Sequence, residues 1–114
     1  YNLETLLAEK IETVISRNVA NTRPRDFYDI YILYRLHAKD CSQVILEKAI
    51  KATATKRGSL TVIKDYEKAM LDVAASEKMH GFWKKYQKDY SYAAGIDFND
   101  ICRLIIDILS GLGF

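Results

Sequence analysis

Residues 3–17, with the sequence LETLLAEKIETVISR, carry the clearest helical pattern in this chain of 114 residues. Apolar side chains recur there at the i, i+3, i+4 spacing that places them on one face of a helix. They are Leu3, Leu6, Leu7, Ile11, Val14 and Ile15. Asn2 stands directly before this pattern and has a side chain suited to capping a helix. The segment therefore predicts an amphipathic first helix that ends near Arg17.

A second helix is expected after this one, beginning at Pro24. Proline suits the first turn of a helix because the N–H group that it lacks would have no partner there. The run at residues 26–33, DFYDIYIL, is rich in β-branched and aromatic residues, which also favour strands. It shows no strict alternation of apolar and polar residues, however, and it is too long for a typical strand. We therefore expect a helix that ends near Ala38.

The remaining sequence also predicts helices. One Pro and five Gly in the whole chain are few for an all-β protein, which needs these residues in its turns. The further helices are predicted to begin at Ser42, Leu60, Ser76 and Asp97 and to end near Gly58, Val73, Tyr90 and Gly111. On the first of them, the spacing assigns Val44, Ile45, Ala49, Ile50 and Thr53 to one buried side. The sequence thus predicts a single compact all-α domain, residues 1–114, of five to six helices.

The composition is typical of a folded, soluble domain. Apolar residues make up 49% of the chain and charged residues 28%, which argues against disorder. The 17 basic and 15 acidic residues leave a formal charge of only +2. The domain as a whole therefore has no strong attraction to nucleic acid or to an anionic membrane, and any such surface must be a local patch.

Cysteine usage and targeting signals favour a cytoplasmic protein. Cys41 and Cys102 stand alone, without the neighbours that metal-ligand spacing requires, so the sequence predicts no metal site. No secretory signal peptide is recognisable at the start, which favours reduced thiols. The apolar run at residues 101–112 is interrupted by Arg103 and Asp107, so no membrane helix is expected.

Two basic residues of the first helix fall where apolar residues are expected. Helical positions advance by about 100° per residue, and on such a wheel Lys10 lies inside the apolar arc. Arg17 lies almost in line with it, two turns later. The acidic residues Glu4, Glu9 and Glu12 fall toward the edge or the opposite side, where solvated charges are expected. An inward cation is unfavourable unless it is paired or only its aliphatic stem is covered.

The second helix shows the same anomaly with the opposite sign. Asp29 lies within a stripe formed by Ile32, Leu33 and Leu36, with Asp26 at its flank. Aromatic residues cover the opposite face, so this helix is expected to be enclosed on both sides. A carboxylate in such a place needs a partner, and Arg25 one turn earlier and Lys10 of the first helix are the candidates.

The wheel leaves two interpretations of these charges open. Either Lys10 and Asp29 form a buried ion-pair network that joins the first two helices, or they face a cleft and contact a ligand phosphate and a metal or hydroxyl. Both interpretations predict that removing one partner is costly, because the other charge is then left unpaired.

The same residues carry a resemblance to a known family. The strings LLAEKIE at 6–12, ISR at 15–17 and RPRDFYDI at 23–30 resemble the third and fourth of four motifs in AbiEii/AbiGii-type toxin nucleotidyltransferases. Those motifs are an L-x-E-K-L-like pattern and R-x-[KR]-D-x-[YF]-D-[LI]. The specific match covers about the first 36 residues, and the later helices are similar in character.

This resemblance implies a DNA polymerase β-like nucleotidyltransferase fold in a toxin of type IV toxin–antitoxin or abortive-infection systems. The first two family motifs, a Gly-Ser stretch and an Asp-x-Asp pair, lie on an N-terminal α/β domain that holds metal and triphosphate. No Asp-x-Asp pair occurs in these residues, and the Gly-Ser at 58–59 is not followed by such a pair. The chain also opens at Tyr1 rather than Met. We therefore expect the C-terminal helical domain of such a toxin, inactive on its own.

Carried over by position, the resemblance assigns Lys10 and Asp29 to the catalytic site, with Arg25, Asp26 and Arg17 in support. It implies transfer of a nucleotide from an NTP to an RNA acceptor, such as a tRNA 3′ end. Mg²⁺ and NTP would then belong to the full-length protein, with no cofactor expected in this chain alone. The implied partners are the N-terminal domain and a cognate antitoxin.

A different function is a non-catalytic helical module that binds an antitoxin or nucleic acid. Lys84, Lys85 and Lys88 can share one helix face beside Tyr86 and Tyr90, a combination that could hold an RNA backbone and stack a base. The alternative is a solvated lysine face over an aromatic core stripe, since Trp83, Tyr86 and Tyr90 have helical spacing.

Overall fold

Seven α-helices and three short 3₁₀ helices form the secondary structure of the computed structural model, which describes residues 2–114. The α-helices are α1 (Leu3–Arg17), α2 (Pro24–His37), α3 (Gln43–Arg57), α4 (Leu60–Lys64), α5 (Tyr66–Ala75), α6 (Glu77–Asp89) and α7 (Phe98–Gly111). The 3₁₀ helices are Asn18–Ala20, Ala38–Asp40 and Ser91–Ala93. The described residues contain no strand, which confirms the all-α prediction.

The helix ends follow local sequence signals. The side chains of Asn2, Ser42 and Asp97 each accept a hydrogen bond from a backbone N–H in the first turn of the helix that follows, as predicted. Pro24 occupies the first position of α2. At the end of α3, Gly58 has φ +72°, a left-handed conformation that glycine adopts at low energetic cost.

The predicted fourth helix is divided into two. Asp65 has φ −95° and ψ +27°, which departs from helical geometry and separates α4 from α5. Ile63 of α4 and Tyr66 of α5 are buried on either side of the break. The chain therefore has seven α-helices in its described part rather than the five to six that the sequence predicted.

The first helix lies at the centre of the packing. Five of its residues, Leu7, Ala8, Ile11, Val14 and Ile15, have no exposed surface. α1 contacts α2, α3, α4 and α5, and α7 packs against α5 and α2. The radius of gyration is 13.3 Å, close to the value of about 13 Å expected for a compact domain near this length. One continuous hydrophobic core thus positions the first two helices.

Two details of the predicted buried faces are wrong. α3 packs through Leu46, Ile50 and Ala54, whereas Val44 and Ile45 are exposed. α2 is buried mainly through Asp26, Phe27 and Ile30 in its first half, whereas Leu36 is 69% exposed. The second helix is therefore not enclosed on both sides along its whole length, because its final turns extend beyond the core.

Neither cysteine forms a disulfide, and both are buried. Burial raises the pKa of the Cys102 thiol to about 12, so this side chain remains protonated at neutral pH. Within residues 2–114, every helix is too short or too polar to cross a bilayer.

Candidate functional site

An ion pair joins the first two helices. Lys10 Nζ donates a hydrogen bond to Asp29 Oδ2 at 2.9 Å, and each side chain is 22% exposed. Arg25 Nε lies 3.7 Å from the same carboxylate oxygen. The two partners that the sequence predicted for Asp29 are thus both present. The hydrogen bond between Lys10 and Asp29 holds the two charged groups in position relative to each other.

Lys10 also lines a polar pocket of about 380 Å³. The other residues lining it are Leu6, Glu9, Thr13, Arg17, Arg23, Asp26 and Arg57. Four of its side chains are cationic and two are carboxylates, so the pocket has a net positive charge that suits a phosphate group. Among the described residues, Asp29 contacts Lys10 without lining the pocket itself.

The pocket brings together most of the residues that the sequence singled out. Lys10, Arg17 and Asp26 line it directly. Arg25 lies outside this lining and is 75% exposed, although it reaches Asp29. Lys10 and Arg17 both line the pocket from α1, although Arg17, which the wheel placed in line with the apolar arc, is exposed.

Asp26 is the most deeply buried of the charged residues in this pocket, with 3% of its surface exposed. Its Oδ1 lies 3.5 Å from Nη2 of Arg23. Its Oδ2 is buried and receives no hydrogen bond from the described part of the chain. Buried carboxylate oxygens are almost always paired, so this atom retains unused capacity to accept a hydrogen bond.

Glu12 was predicted to be solvated and is instead 3% exposed. Its Oε2 accepts hydrogen bonds from the hydroxyls of Ser16 and Ser59, each at 2.7 Å, and its Oε1 pairs with Arg57. Burial by itself raises the pKa of Glu12, but the hydrogen bonds from Ser59, Arg57 and Ser16 outweigh it and hold the pKa below its usual value. The carboxylate is therefore ionised at neutral pH.

The Glu12 network is what places Arg57 in the pocket. Arg57 Nη1 also donates to Thr13 Oγ1 at 3.2 Å, so the guanidinium is held against α1 at two side chains. No local pattern indicates this contact, because Arg57 and Ser59 lie more than 40 residues after Glu12. The pairing of Glu12 with Arg57 and Ser59 is visible only in the structure.

Glu4 is a second buried carboxylate that the sequence predicted to be solvated. It is 6% exposed and accepts a hydrogen bond from the backbone N–H of Ser42 at 2.8 Å. This contact ties the start of α3 to α1. Glu4 and Glu12 therefore hold α3 at both ends, and the helix in turn fixes the position of Arg57.

Lys84, Lys85 and Lys88 of α6 are exposed, and Lys85 Nζ donates to Asp89 Oδ2 at 2.8 Å. Beneath them, Trp83 and Tyr86 are buried as an aromatic stripe, whereas Tyr90 is 46% exposed. This arrangement is that of a solvated lysine face over a core stripe, with Tyr90 as the exception.

Comparison with known protein families assigns the chain. A family model described as the nucleotidyl transferase AbiEii toxin of type IV toxin–antitoxin systems matches residues 1–102. The chain belongs to the AbiEii nucleotidyltransferase toxin family. The match runs from α1 into α7, well beyond the two helices that carried the sequence resemblance. No curated protein and no solved structure matches the chain.

Membership of the AbiEii family has two direct consequences. The family consists of nucleotidyltransferase toxins, so the activity class is transfer of a nucleotide. A type IV toxin–antitoxin system also implies an antitoxin as a partner.

Proposed function

We propose that the pocket between α1, the start of α2 and the end of α3 is one wall of a nucleotidyl-transfer site. The observation that carries the proposal is Lys10, which lines a cation-rich pocket while its ammonium group is held by Asp29 at 2.9 Å. The substrates would be an NTP and an RNA acceptor such as a tRNA 3′ end, and the reaction would attach the nucleotide to an RNA hydroxyl.

The chemistry requires positive charge at this position. In nucleotidyl transfer, the acceptor oxygen bonds to the α-phosphorus, the bond to the bridging oxygen of the β-phosphate breaks, pyrophosphate leaves and the hydroxyl proton is released. Negative charge accumulates on the phosphoryl oxygens during this step. A fixed ammonium group lowers the energy of that state most effectively, because it needs no reorganisation when the charge develops. Arg17, Arg23 and Arg57 would add to the same potential.

Asp29 acts in this proposal as a positioning residue. Its Oδ2 already contacts both Lys10 and Arg25, and the carboxylate does not line the pocket. These contacts favour a role in orienting Lys10 over direct contact with an attacking hydroxyl. Asp26 lines the pocket itself, so it is the better candidate for contact with substrate.

The family resemblance implies Mg²⁺, but the carboxylates of this chain do not fit a magnesium site. Asp29 contacts two cationic side chains, and Asp26 lies beside Arg23. No three His, Cys or carboxylate side chains come together anywhere in the described residues. We therefore propose that metal and triphosphate ligands reside on an N-terminal α/β domain, and that this chain contributes the cationic wall.

The proposal is tested by comparing the full-length protein with the 114-residue chain alone. Each is incubated with labelled NTPs, Mg²⁺ and tRNA, and the label in the RNA is measured. We expect labelling by the full-length protein and none by the chain alone, because the predicted metal ligands lie outside it. Robust labelling by the chain alone would show that the division of the site is wrong.

A non-catalytic binding module is the second candidate function. Two observations favour it: the Lys10–Asp29 pair is complete without a ligand, and the apolar side chains of Leu36, Val44 and Ile45 are exposed as they would be for a partner protein. An antitoxin or a nucleic acid would then bind the helical surface without any chemistry in the pocket.

The lysines of α6 provide a test for nucleic-acid binding by this surface. If Lys84, Lys85 and Lys88 contact RNA phosphates, their joint replacement by alanine should weaken tRNA binding. The slope of log affinity against log salt concentration should also fall by about two units, since each contact with a single strand contributes about 0.7. Filter binding at several salt concentrations measures both quantities.

A matched control removes the same charge elsewhere. Lys39, Lys48 and Lys56 are also exposed, so their joint replacement by alanine changes the net charge equally. An equal loss of affinity in both triple variants would indicate a general charge effect and would contradict a binding surface on α6.

A further inference from the structure

A second pocket, of about 320 Å³, lies beside the first. It is lined by Arg23, Pro24, Arg25, Tyr86, Tyr90 and Tyr92. Tyr90 and Tyr92 are 46% and 53% exposed, which is unusual for large aromatic side chains that already pack against one another. We name this feature the tyrosine pocket.

The exposed rings are held in fixed positions. The ring centroids of Tyr90 and Tyr92 lie 5.4 Å apart, and that of Tyr90 lies 4.8 Å from Tyr86. The hydroxyl groups of Tyr86 and Tyr92 are 2.8 Å apart and share a hydrogen bond. Tyr28 of α2 also packs on Tyr92, with a centroid distance of 4.7 Å. The rings therefore form a connected cluster from α2 to the segment that follows α6.

The backbone beyond α6 is fixed as well. Gln87 Nε2 donates hydrogen bonds to the carbonyl oxygens of Ala93 at 3.2 Å and Ile96 at 2.9 Å. Trp83 Nε1 donates to the same carbonyl of Ile96, also at 2.9 Å. The segment that carries Tyr92 is thus anchored to α6 by the buried Trp83 and the half-buried Gln87. A ligand that stacks on these rings would not have to order them first, which favours tight binding.

The positive charge of the tyrosine pocket comes from the start of α2. Arg23 and Arg25 line it with side chains that are 57% and 75% exposed. Neither guanidinium is fully enclosed, so both remain accessible to an anion. The sequence analysis considered Lys84, Lys85 and Lys88 as contacts for an RNA backbone, but none of these three side chains lines the pocket.

Arg23 connects the tyrosine pocket with the Lys10 pocket, because it lines both. Arg25 provides a second link, since it lines the tyrosine pocket and lies 3.7 Å from the carboxylate that holds Lys10. A molecule that occupies the tyrosine pocket would therefore extend directly toward the proposed site of transfer.

Rigid aromatic faces beside arginine side chains match the chemistry of single-stranded nucleic acid. Each base presents a flat π-face that stacks on a tyrosine ring without sequence preference, and its phosphates pair with arginine. A purely apolar partner would cover the exposed guanidinium groups of Arg23 and Arg25 without offering an acceptor to the N–H donors that Asp26 and Asp29 do not use. A bare phosphate would leave the exposed rings unused.

We propose that the tyrosine pocket binds an unpaired nucleobase of a single-stranded RNA end on Tyr90 and Tyr92, while Arg23 and Arg25 contact the adjoining phosphate. The identity of the strand as the RNA acceptor rests on the proposed function. The stacked base would direct the terminal hydroxyl toward the pocket that Lys10 lines, which makes this surface a determinant of acceptor binding.

The first test compares variants that remove a ring with variants that keep it. Binding of a 5′-labelled RNA of about eight nucleotides, ending in the CCA of tRNA, is measured with the chain by fluorescence anisotropy. Tyr90→Leu and Tyr92→Leu should each weaken binding by about tenfold, since stacking contributes that much per base. Tyr90→Phe should stay within about twofold of the parent chain, and Tyr92→Phe, which keeps the ring but loses the hydrogen bond to Tyr86, should weaken binding less than Tyr92→Leu. Equal effects of Leu and Phe at both positions would overturn the proposal.

The second test changes the RNA instead of the protein, so that it does not depend on whether a variant folds. The parent chain should bind the RNA about tenfold more weakly when its last nucleotide is abasic. Unchanged affinity for the abasic RNA would overturn the proposal. Competition with an NTP gives a second outcome that would overturn the proposal. If an NTP displaces the RNA from the parent chain but not from Tyr92→Leu, the rings stack on the base of the NTP rather than on a base of the RNA.

The transfer assay separates this inference from the proposed function. Tyr92→Leu in the full-length protein should raise KM for RNA about tenfold and leave kcat within about twofold. If RNA binding depends on the rings but replacement of Lys10 leaves transfer intact, the tyrosine pocket stands and the role of Lys10 fails. If Lys10 is required but the ring variants bind normally, only the tyrosine pocket fails.

Discussion

Replacing Lys10 by methionine is expected to lower kcat for nucleotide transfer by the full-length protein by about a hundredfold to a thousandfold, the range observed when one fixed electrostatic group is removed from an active site. Methionine keeps most of the length of the side chain and removes its charge and its hydrogen-bond donors. The loss should appear in kcat rather than in RNA affinity, because the ammonium group acts on charge that develops during the reaction. Transfer of a labelled nucleotide at saturating substrate measures the effect.

A stability measurement distinguishes catalysis from structure at the same pair. Lys10→Met leaves Asp29 with Arg25 as a partner, so the free energy of unfolding should fall by about 1 kcal/mol or less. Asp29→Leu leaves the partly buried Lys10 without its hydrogen-bond acceptor and should cost about 1–3 kcal/mol. The double variant replaces the ion pair by two apolar side chains and should regain most of the stability.

The double variant is the decisive control. If the pair only joins α1 to α2, restoring stability should also restore transfer. If Lys10 acts on the phosphate, transfer should remain lost in a protein that is as stable as the parent. Wild-type transfer by Lys10→Met would contradict the catalytic role outright and leave the ion pair as a purely structural contact.

The helices were predictable because their signals are local. The spacing in residues 3–17 and the caps Asn2, Ser42 and Asp97 lie within a few residues of the features that they specify. The break at Asp65 was not predictable in this way. No Gly or Pro marks it in the sequence.

The same distinction explains which parts of the site were predicted. Lys10 and Asp29 were recognisable because each places a charge in an apolar stripe, an anomaly that is visible within one helix. Glu12 lies at the flank of its helix, where a solvated carboxylate is the ordinary expectation. Its burial depends on Arg57 and Ser59, which approach from the end of α3. Long-range contacts of this kind have no local pattern.

Replacing Glu12 by alanine is expected to lower the free energy of unfolding by about 2–4 kcal/mol, as is typical for removing one member of a buried, charged hydrogen-bond network. The hydroxyls of Ser16 and Ser59 and the guanidinium of Arg57 would all lose their acceptor. Urea denaturation of the chain at pH 7 measures the change. Glu47→Ala is the matched control, because that carboxylate forms only an exposed pair with Lys51 and should change stability by less than about 0.5 kcal/mol.

The pH dependence of stability gives an independent test of Glu12. Its pKa is lower in the folded chain than in the unfolded chain, where a glutamate titrates near 4.3. Such a group stabilises the fold fully above the unfolded pKa, and the contribution is lost as the pH falls through the folded pKa. The difference in unfolding free energy between the parent chain and Glu12→Gln should therefore be constant from about pH 7 to pH 5 and shrink below pH 4. A difference that grows on acidification would contradict the lowered pKa, and equal stability of the two chains at pH 7 would mean that the carboxylate charge is not needed to hold Arg57.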